Sequence, residues 1–181
     1  MKRILFFTYS EHGQAQIHLS IAYELLSRSD VEIHIASFEE LAPRTVEISD
    51  LFNQQNKQNV DIKFHLIDYP SMKKLTTSSP STHPGGFFGA IEAYRNMPSL
   101  LFCWSPEQYV GIYQRCSEIV DQVQPDIVAV DSLFNQAFDM CRQKLARGIG
   151  PPKYVVLNPM DFTNTIAVAL PGLVAWWKIP V

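Results

Sequence analysis

Short apolar runs of β-forming residues alternate along this chain with stretches patterned for helix. That alternation restricts the fold more than any other feature. Ile4-Leu5-Phe6-Phe7-Thr8 opens the series, and an unbroken apolar run of this kind fits a strand buried on both faces of a parallel sheet. A polar turn, Tyr9 to Gln16, follows. Ile17, Ile21, Ala22, Leu25 and Leu26 then recur at helical spacing and predict a helix ending near Ser29. Val31, Ile33 and Ile35 alternate with Glu32, His34 and Ala36 as a second strand, with His34 half-exposed. Leu51 to Asn59 is polar and reads as a short helix, and Ile62, Phe64 and Leu66 alternate as a third strand. Strand, helix, strand, helix, strand predicts an α/β fold, a doubly wound parallel sheet of the Rossmann-like kind with right-handed crossovers.

The middle of the chain is irregular. Tyr69 to Gly86 holds three prolines, two glycines and a Ser/Thr cluster, and a loop of that length is usually functional or mobile. Phe87 to Cys103 reads as a helix interrupted at Pro98. Ser105-Pro106-Glu107-Gln108 is a helix start: Ser105 caps, Pro106 occupies the first helical position, and Gln108 closes a capping box. Tyr109, Ile112, Tyr113, Cys116, Ile119, Val120 and Val123 form its apolar stripe, and Pro125 ends it. Asp126 to Asp131 reads as a buried strand. A helix from about Ser132 to Ala146 follows, with Phe134, Ala137, Phe138, Cys141 and Leu145 inward. After a Gly/Pro turn, Tyr154-Val155-Val156-Leu157 is the next strand. The tail from Asp161 to Val181 is apolar, and the sequence holds no internal repeat.

Composition narrows the function classes. A length of 181 residues predicts a single domain. Hydrophobic residues at 46% and charged residues at 18% exclude a disordered chain. A net charge of -3 argues against a nucleic-acid partner. Cys103, Cys116 and Cys141 are widely spaced and read as small buried hydrophobes rather than a disulfide framework or a zinc site. Lys2 and Arg3 precede too short an apolar run for a signal peptide. A membrane span needs about 20 residues, and Ile166 to Trp177 is shorter and broken by Pro171 and Gly172. The expectation is a soluble, cytoplasmic protein with no membrane span.

In open parallel sheets ligands bind at the carboxyl ends of the strands, near the switch in strand order. That rule selects the turn Tyr9 to Gln16, Asp131-Ser132, and Asn158-Pro159-Met160. The first turn, Ser10-Glu11-His12-Gly13-Gln14-Ala15-Gln16, has neither the glycine pattern of a dinucleotide site nor that of a P-loop. His12 is a candidate general base or an ordinary polar turn residue. Asp131 closes a strand and either supports an imidazole or caps the next helix. His18, His34, His65 and His83 are weaker candidates, and with no helical i, i+4 pair a metal is not expected. Phe87, Phe88, Tyr94, Phe102 and Trp104 either line a pocket for a flat apolar ligand or pack helices.

Ile4 to Leu25, with its Gly13 turn and Ile21-Ala22-Tyr23-Glu24-Leu25 helix, resembles the amino-terminal end of UDP-dependent glycosyltransferases of family 1, the GT-B type. Pro125 to Leu133 is similar to that family's Pro-Asp-strand-Asp stretch. The resemblance is to fungal-type members and runs over nearly the whole chain. It implies two Rossmann-like domains facing across a cleft, one holding the acceptor and one the sugar nucleotide, and inverting glycosyl transfer. It further implies a histidine after the first strand that deprotonates the acceptor hydroxyl and a supporting aspartate, here Asp131. Aligned without gaps, Gln14 falls where that histidine is expected, and His12 sits two positions earlier.

The family's sugar-nucleotide motif is not in the sequence, so residues 1–181 are expected to be a single acceptor-binding domain, a fragment inactive alone. The expected site is His12 and Asp131 as the catalytic pair, with Gly13, Gln14, Phe87, Trp104 and Ser132 against a small lipophilic acceptor. No cofactor and no metal are expected. A UDP-sugar is expected only with a second domain or chain, and the apolar tail is expected to drive self-association. Two alternatives stay open: a non-catalytic binding or scaffold module, and a flavodoxin-like nucleotide-binding domain, against which the missing Gly-rich loop counts.

Overall fold

The computed structural model of the chain describes residues 1–28, 30–57, 59–75, 91, 95, 103–149 and 153–158. Five strands form one sheet: β1 (Lys2–Phe7), β2 (Val31–Ser37), β3 (Lys63–Leu66), β4 (Ile127–Asp131) and β5 (Tyr154–Leu157). Their order is β3-β2-β1-β4-β5, and every pairing is parallel. The helices are α1 (His12–Leu26), α2 (Ala42–Asn56), the single turn α3 (Met72–Leu75), α4 (Pro106–Val123) and α5 (Asn135–Ala146), with a 3-10 turn at Glu39–Leu41. The parallel α/β sheet expected from the alternation is the one observed.

Strand periodicity divides the core into two layers. Leu5 and Phe7 of β1 and Val128 and Val130 of β4 face α4 and α5, joining Ile112, Cys116, Ile119, Ala137, Met140 and Cys141. Phe6, Ile33, Ile35 and Ala129 face the other way, onto Ala15, Leu19 and Ala22 of α1 and Phe52 of α2. A sheet covered on both faces is why its central strands read as continuous apolar runs. Cys116 and Cys141 are fully buried free thiols, and Cys103 is partly buried.

Helix α4 follows its sequence signals closely. The Ser105 hydroxyl accepts the Gln108 N–H at 3.2 Å, and Gln108 Oε1 accepts the Ser105 N–H at 2.9 Å. Its expected stripe is buried from Ile112 through Val123. Both α2 and α4 end on residues in the left-handed region, Lys57 (φ 53°) and Gln124 (φ 50°).

Four expectations are corrected. The buried face of α1 is Ala15, His18, Leu19, Ala22 and Leu26, with Ile17 and Ile21 at its margin. Helix α2 begins at Ala42 rather than Leu51. In α5, Met140 is inward and Leu145 is exposed, while the Lys144 ammonium reaches Asp121 at 2.5 Å. His34 is only 5% exposed because it stacks on His65. The helix expected over Phe87 to Cys103 and the tail from Asp161 to Val181 lie outside the described residues, apart from Ile91, Arg95 and Cys103.

Candidate active site at the strand ends

The strand order reverses between β1 and β4, so the chain leaves the sheet in opposite directions after Phe7 and after Asp131. That divergence opens a crevice at the carboxyl ends of the two strands. Thr8 follows β1, and its hydroxyl lies 3.5 Å from Asp131 Oδ2. The Ser37 hydroxyl donates to the Thr8 carbonyl at 2.7 Å, which ties β2 into the same edge.

Asp131 is fully buried. Its Oδ1 accepts the Leu133 N–H at 2.9 Å, closing a local turn. It is not a helix cap: the N-cap of α5 is Phe134, which has no capping side chain. Burial pushes the Asp131 carboxyl above its ordinary range, against the opposing pull of the Leu133 N–H, His18 and the Thr8 hydroxyl. His18 lies on the inner face of α1 and is fully buried. Burial pushes His18 down from its ordinary value, with the Gln14 carbonyl and Asp131 opposing.

His12 is the first residue of α1 and is exposed. Gly13 is exposed beside it, with nothing within 4 Å of where a Cβ would stand. Gln14 is half-buried, and its Oε1 has no hydrogen-bond partner among the described residues. Glu11, at the N-cap, accepts the Lys73 N–H at 3.1 Å and so docks α3 against the turn. Burial pushes the Glu11 carboxyl up, and Glu40 and Asp131 add to it. Ser132 donates to Asn158 Oδ1 at 3.2 Å, joining two of the three segments that the strand-end rule selects.

Trp104 is 8% exposed. Its ring stacks on Tyr9 at 5.4 Å, its indole N–H donates to the Pro70 carbonyl at 3.0 Å, and Phe38 and Phe134 complete the stack. Tyr9 donates to Gln136 Oε1 at 3.3 Å, and burial pushes its hydroxyl well above the ordinary range. Phe87 lies outside the described residues. The structure thus brings Asp131, Ser132 and the α1 turn to one edge and places Trp104 in the adjoining aromatic layer. Sequence reasoning passed over Thr8 and did not foresee the burial of His18. The signal for His18 was its spacing of three, one and four residues from Ala15, Leu19 and Ala22. Among the described residues no cluster of three or more His, Cys, Asp and Glu is arranged to hold a metal, and no helix is long and apolar enough to cross a membrane.

No protein-family model matches the sequence. Glycosyltransferase sdnJ of Sordaria araneosa is 31% identical over 98% of this chain. The Streptomyces sp. SF2575 glycosyltransferase SsfS6 superposes with a TM-score of 0.56 at 11% identity, over 87% of this chain and 39% of its own. The calicheamicin glycosyltransferase CalG4 superposes at 0.55 with 18% identity, over 93% of this chain and 37% of its own. The fold is a GT-B glycosyltransferase domain fold. The chain spans about a third of the length of the glycosyltransferases it matches, 36% in the case of sdnJ. SsfS6 has also been solved with thymidine diphosphate, so GT-B neighbours of this chain include a nucleotide complex.

Proposed function

We propose that this chain is the acceptor-binding portion of a UDP-glycosyltransferase that transfers a hexose from a UDP-sugar to a hydroxyl of a small lipophilic acceptor. The observation that carries the reading is the 31% identity to a glycosyltransferase sustained over 98% of the chain. The crevice between β1 and β4 is where such a fold takes its ligand. In this reading His12 takes the acceptor proton as its oxygen attacks the anomeric carbon. The bond to the diphosphate breaks on the opposite face, and UDP leaves. Asp131 supports the site from below. Gly13, Gln14 and Ser132 meet the acceptor at the crevice, with Trp104 and Phe87 supplying apolar surface. The sugar nucleotide is held by a second domain or chain.

Calorimetry tests the division of labour. Titration of the 181-residue chain with UDP-glucose is expected to give no heat of binding, whereas small lipophilic alcohols are expected to bind. A micromolar Kd for UDP-glucose, about -8 kcal/mol, would place a nucleotide site in this domain and overturn the assignment. Gln14 at the position the family gives its base favours a second reading, a binding module without chemistry. The two part on turnover once a sugar-nucleotide domain is joined to the chain.

A further inference from the structure

We propose that residues 70–73 form a strap beside the strand-end crevice that opens and closes as one unit, with Trp104 and Glu11 as the positioning residues that hold its two ends. The strap stands on hydrogen bonds within the fold; its bearing on an acceptor rests on the glycosyltransferase reading above.

The chain that leaves β3 turns back over the carboxyl ends of β2 and β1. The Ile67 N–H donates to the carbonyl of Ser37, the last residue of β2, at 2.9 Å. The Ser71 hydroxyl donates to Glu40 Oε1, past the end of β2, at 2.8 Å. The Lys73 N–H donates to Glu11 Oε1, past the end of β1, at 3.1 Å. At the other end of the strap the Trp104 indole N–H donates to the Pro70 carbonyl at 3.0 Å. Residues 70–73 therefore join the aromatic layer to the residue that precedes His12. The anchors fall on Pro70, Ser71 and Lys73, and Ser71 and Met72 between the ends are buried. So short a run leaves no free hinge between its ends, and releasing one loosens the other.

Two features show that the strap depends on these bonds. Helix α3, which it enters, has only four residues. Isolated helices shorter than about 12–15 residues are marginal in water, so the order of α3 comes from partners outside it. The second feature is where the Glu11 carboxylate is used. An N-cap side chain normally accepts an N–H from the first turn of its own helix, as Ser105 does in α4. Glu11 is the N-cap of α1, yet its side chain makes no capping bond there. It crosses instead to the first turn of α3. Trp104 and the turn that carries His12 then relax together, and an acceptor that meets both meets a single body.

Native-state hydrogen exchange on the 181-residue chain tests this, by nuclear magnetic resonance of the Lys73 amide and the Trp104 indole N–H, the latter assigned with Trp104→Phe. In the wild-type chain both hydrogens are expected to show the same opening free energy and the same urea dependence. Glu11→Ala is expected to speed the exchange of both by the same factor, at least about tenfold, because a hydrogen bond to a charged group is lost. Glu11→Gln keeps a carbonyl oxygen at the same reach and is expected to restore most of the protection at both sites. Trp104→Phe keeps an aromatic ring but removes the donor, and is expected to speed exchange at Lys73. Different opening free energies or urea slopes in the wild-type chain overturn the proposal whether or not the variants fold. So does a Glu11→Ala variant in which Lys73 alone exchanges faster, or a Glu11→Gln variant as fast as Glu11→Ala. No ligand enters the measurement, so its failure leaves the acceptor-binding reading standing. Binding of UDP-glucose by calorimetry would leave the strap standing.

Discussion

Two histidines outside the strand-end site make a pH-sensitive contact. His34 Nδ1 and His65 Nε2 are 2.8 Å apart with the rings stacked, so one ring donates to the other and the bond requires at least one neutral ring. Burial and the charge of His65 push His34 from 6.5 down to about 4, and burial and Arg115 push His65 down. A depressed pKa in a base means that the unfolded chain binds more protons. The stabilisation is complete above about pH 6.5 and is lost as pH falls towards 4. At 1.36 kcal/mol per unit, His34 contributes on the order of 3 kcal/mol across that window. Asp131 and Glu11, whose carboxyls are pushed up, oppose it at low pH. The contribution is therefore read as a difference. Denaturant midpoints of wild type and His34→Asn should converge between pH 7 and pH 4.5, and parallel curves would refute the assignment. Asp131 and Ser132 were legible in the sequence because a strand's last residues follow from its apolar run. His18 was not, because the large Ile17 and Ile21 drew the predicted stripe away from a face lined by Ala15 and Ala22.

At the scale of elements, α4 was legible and α2 was not, for one physical reason. The capping box and the apolar period of α4 are both written in side-chain chemistry. Helix α2 buries Thr45, Ser49 and Phe52. Thr45 and Ser49 satisfy their hydroxyls on the carbonyls of Ala42 and Thr45, at 2.8 and 2.9 Å, so a polar face enters the core without an apolar period. One contact of α4 left no mark in its hydrophobic pattern. Tyr69 lies across Gly111, and an added Cβ would fall on its hydroxyl, with ring carbon Cε1 at 2.9 Å. Alanine is better than glycine in a helix by about 1 kcal/mol, whereas overpacking costs about 1–3 kcal/mol. Gly111→Ala is therefore expected to destabilise the chain, and in a Tyr69→Ala background the same substitution should stabilise it by about 1 kcal/mol. Additive effects across this double-mutant cycle would show that Tyr69 does not press on Gly111.

At the scale of the whole molecule, the described residues cover both faces of the sheet but leave its β5 edge thinly covered. Helices α1 and α2 pack over β2 and β3, and α4 and α5 fill the opposite layer. Strand β5 is paired only with β4 among the described residues. Tyr154 and Leu157 reach the two cores, but Val155 is 48% and Val156 42% exposed. An edge strand that shows apolar side chains on both faces is a template for pairing with another chain. Natural edges are protected by charge, commonly lysine, and Tyr154-Val155-Val156-Leu157 carries none. The sequence beyond Asp161 adds Leu170, Leu173, Val174, Trp176 and Trp177 to the apolar inventory. The 181-residue chain is therefore expected to self-associate, with a sedimentation coefficient that rises with concentration. Placing lysines at both edge positions, Val155→Lys with Val156→Lys, should weaken that association at least about tenfold, or 1.4 kcal/mol, because each added pairing would then bring like charges together. Unchanged association in the double variant would move the contact from the β5 edge to the apolar carboxy-terminal sequence. A monomer at every concentration would mean that β5 is covered by the chain's own residues.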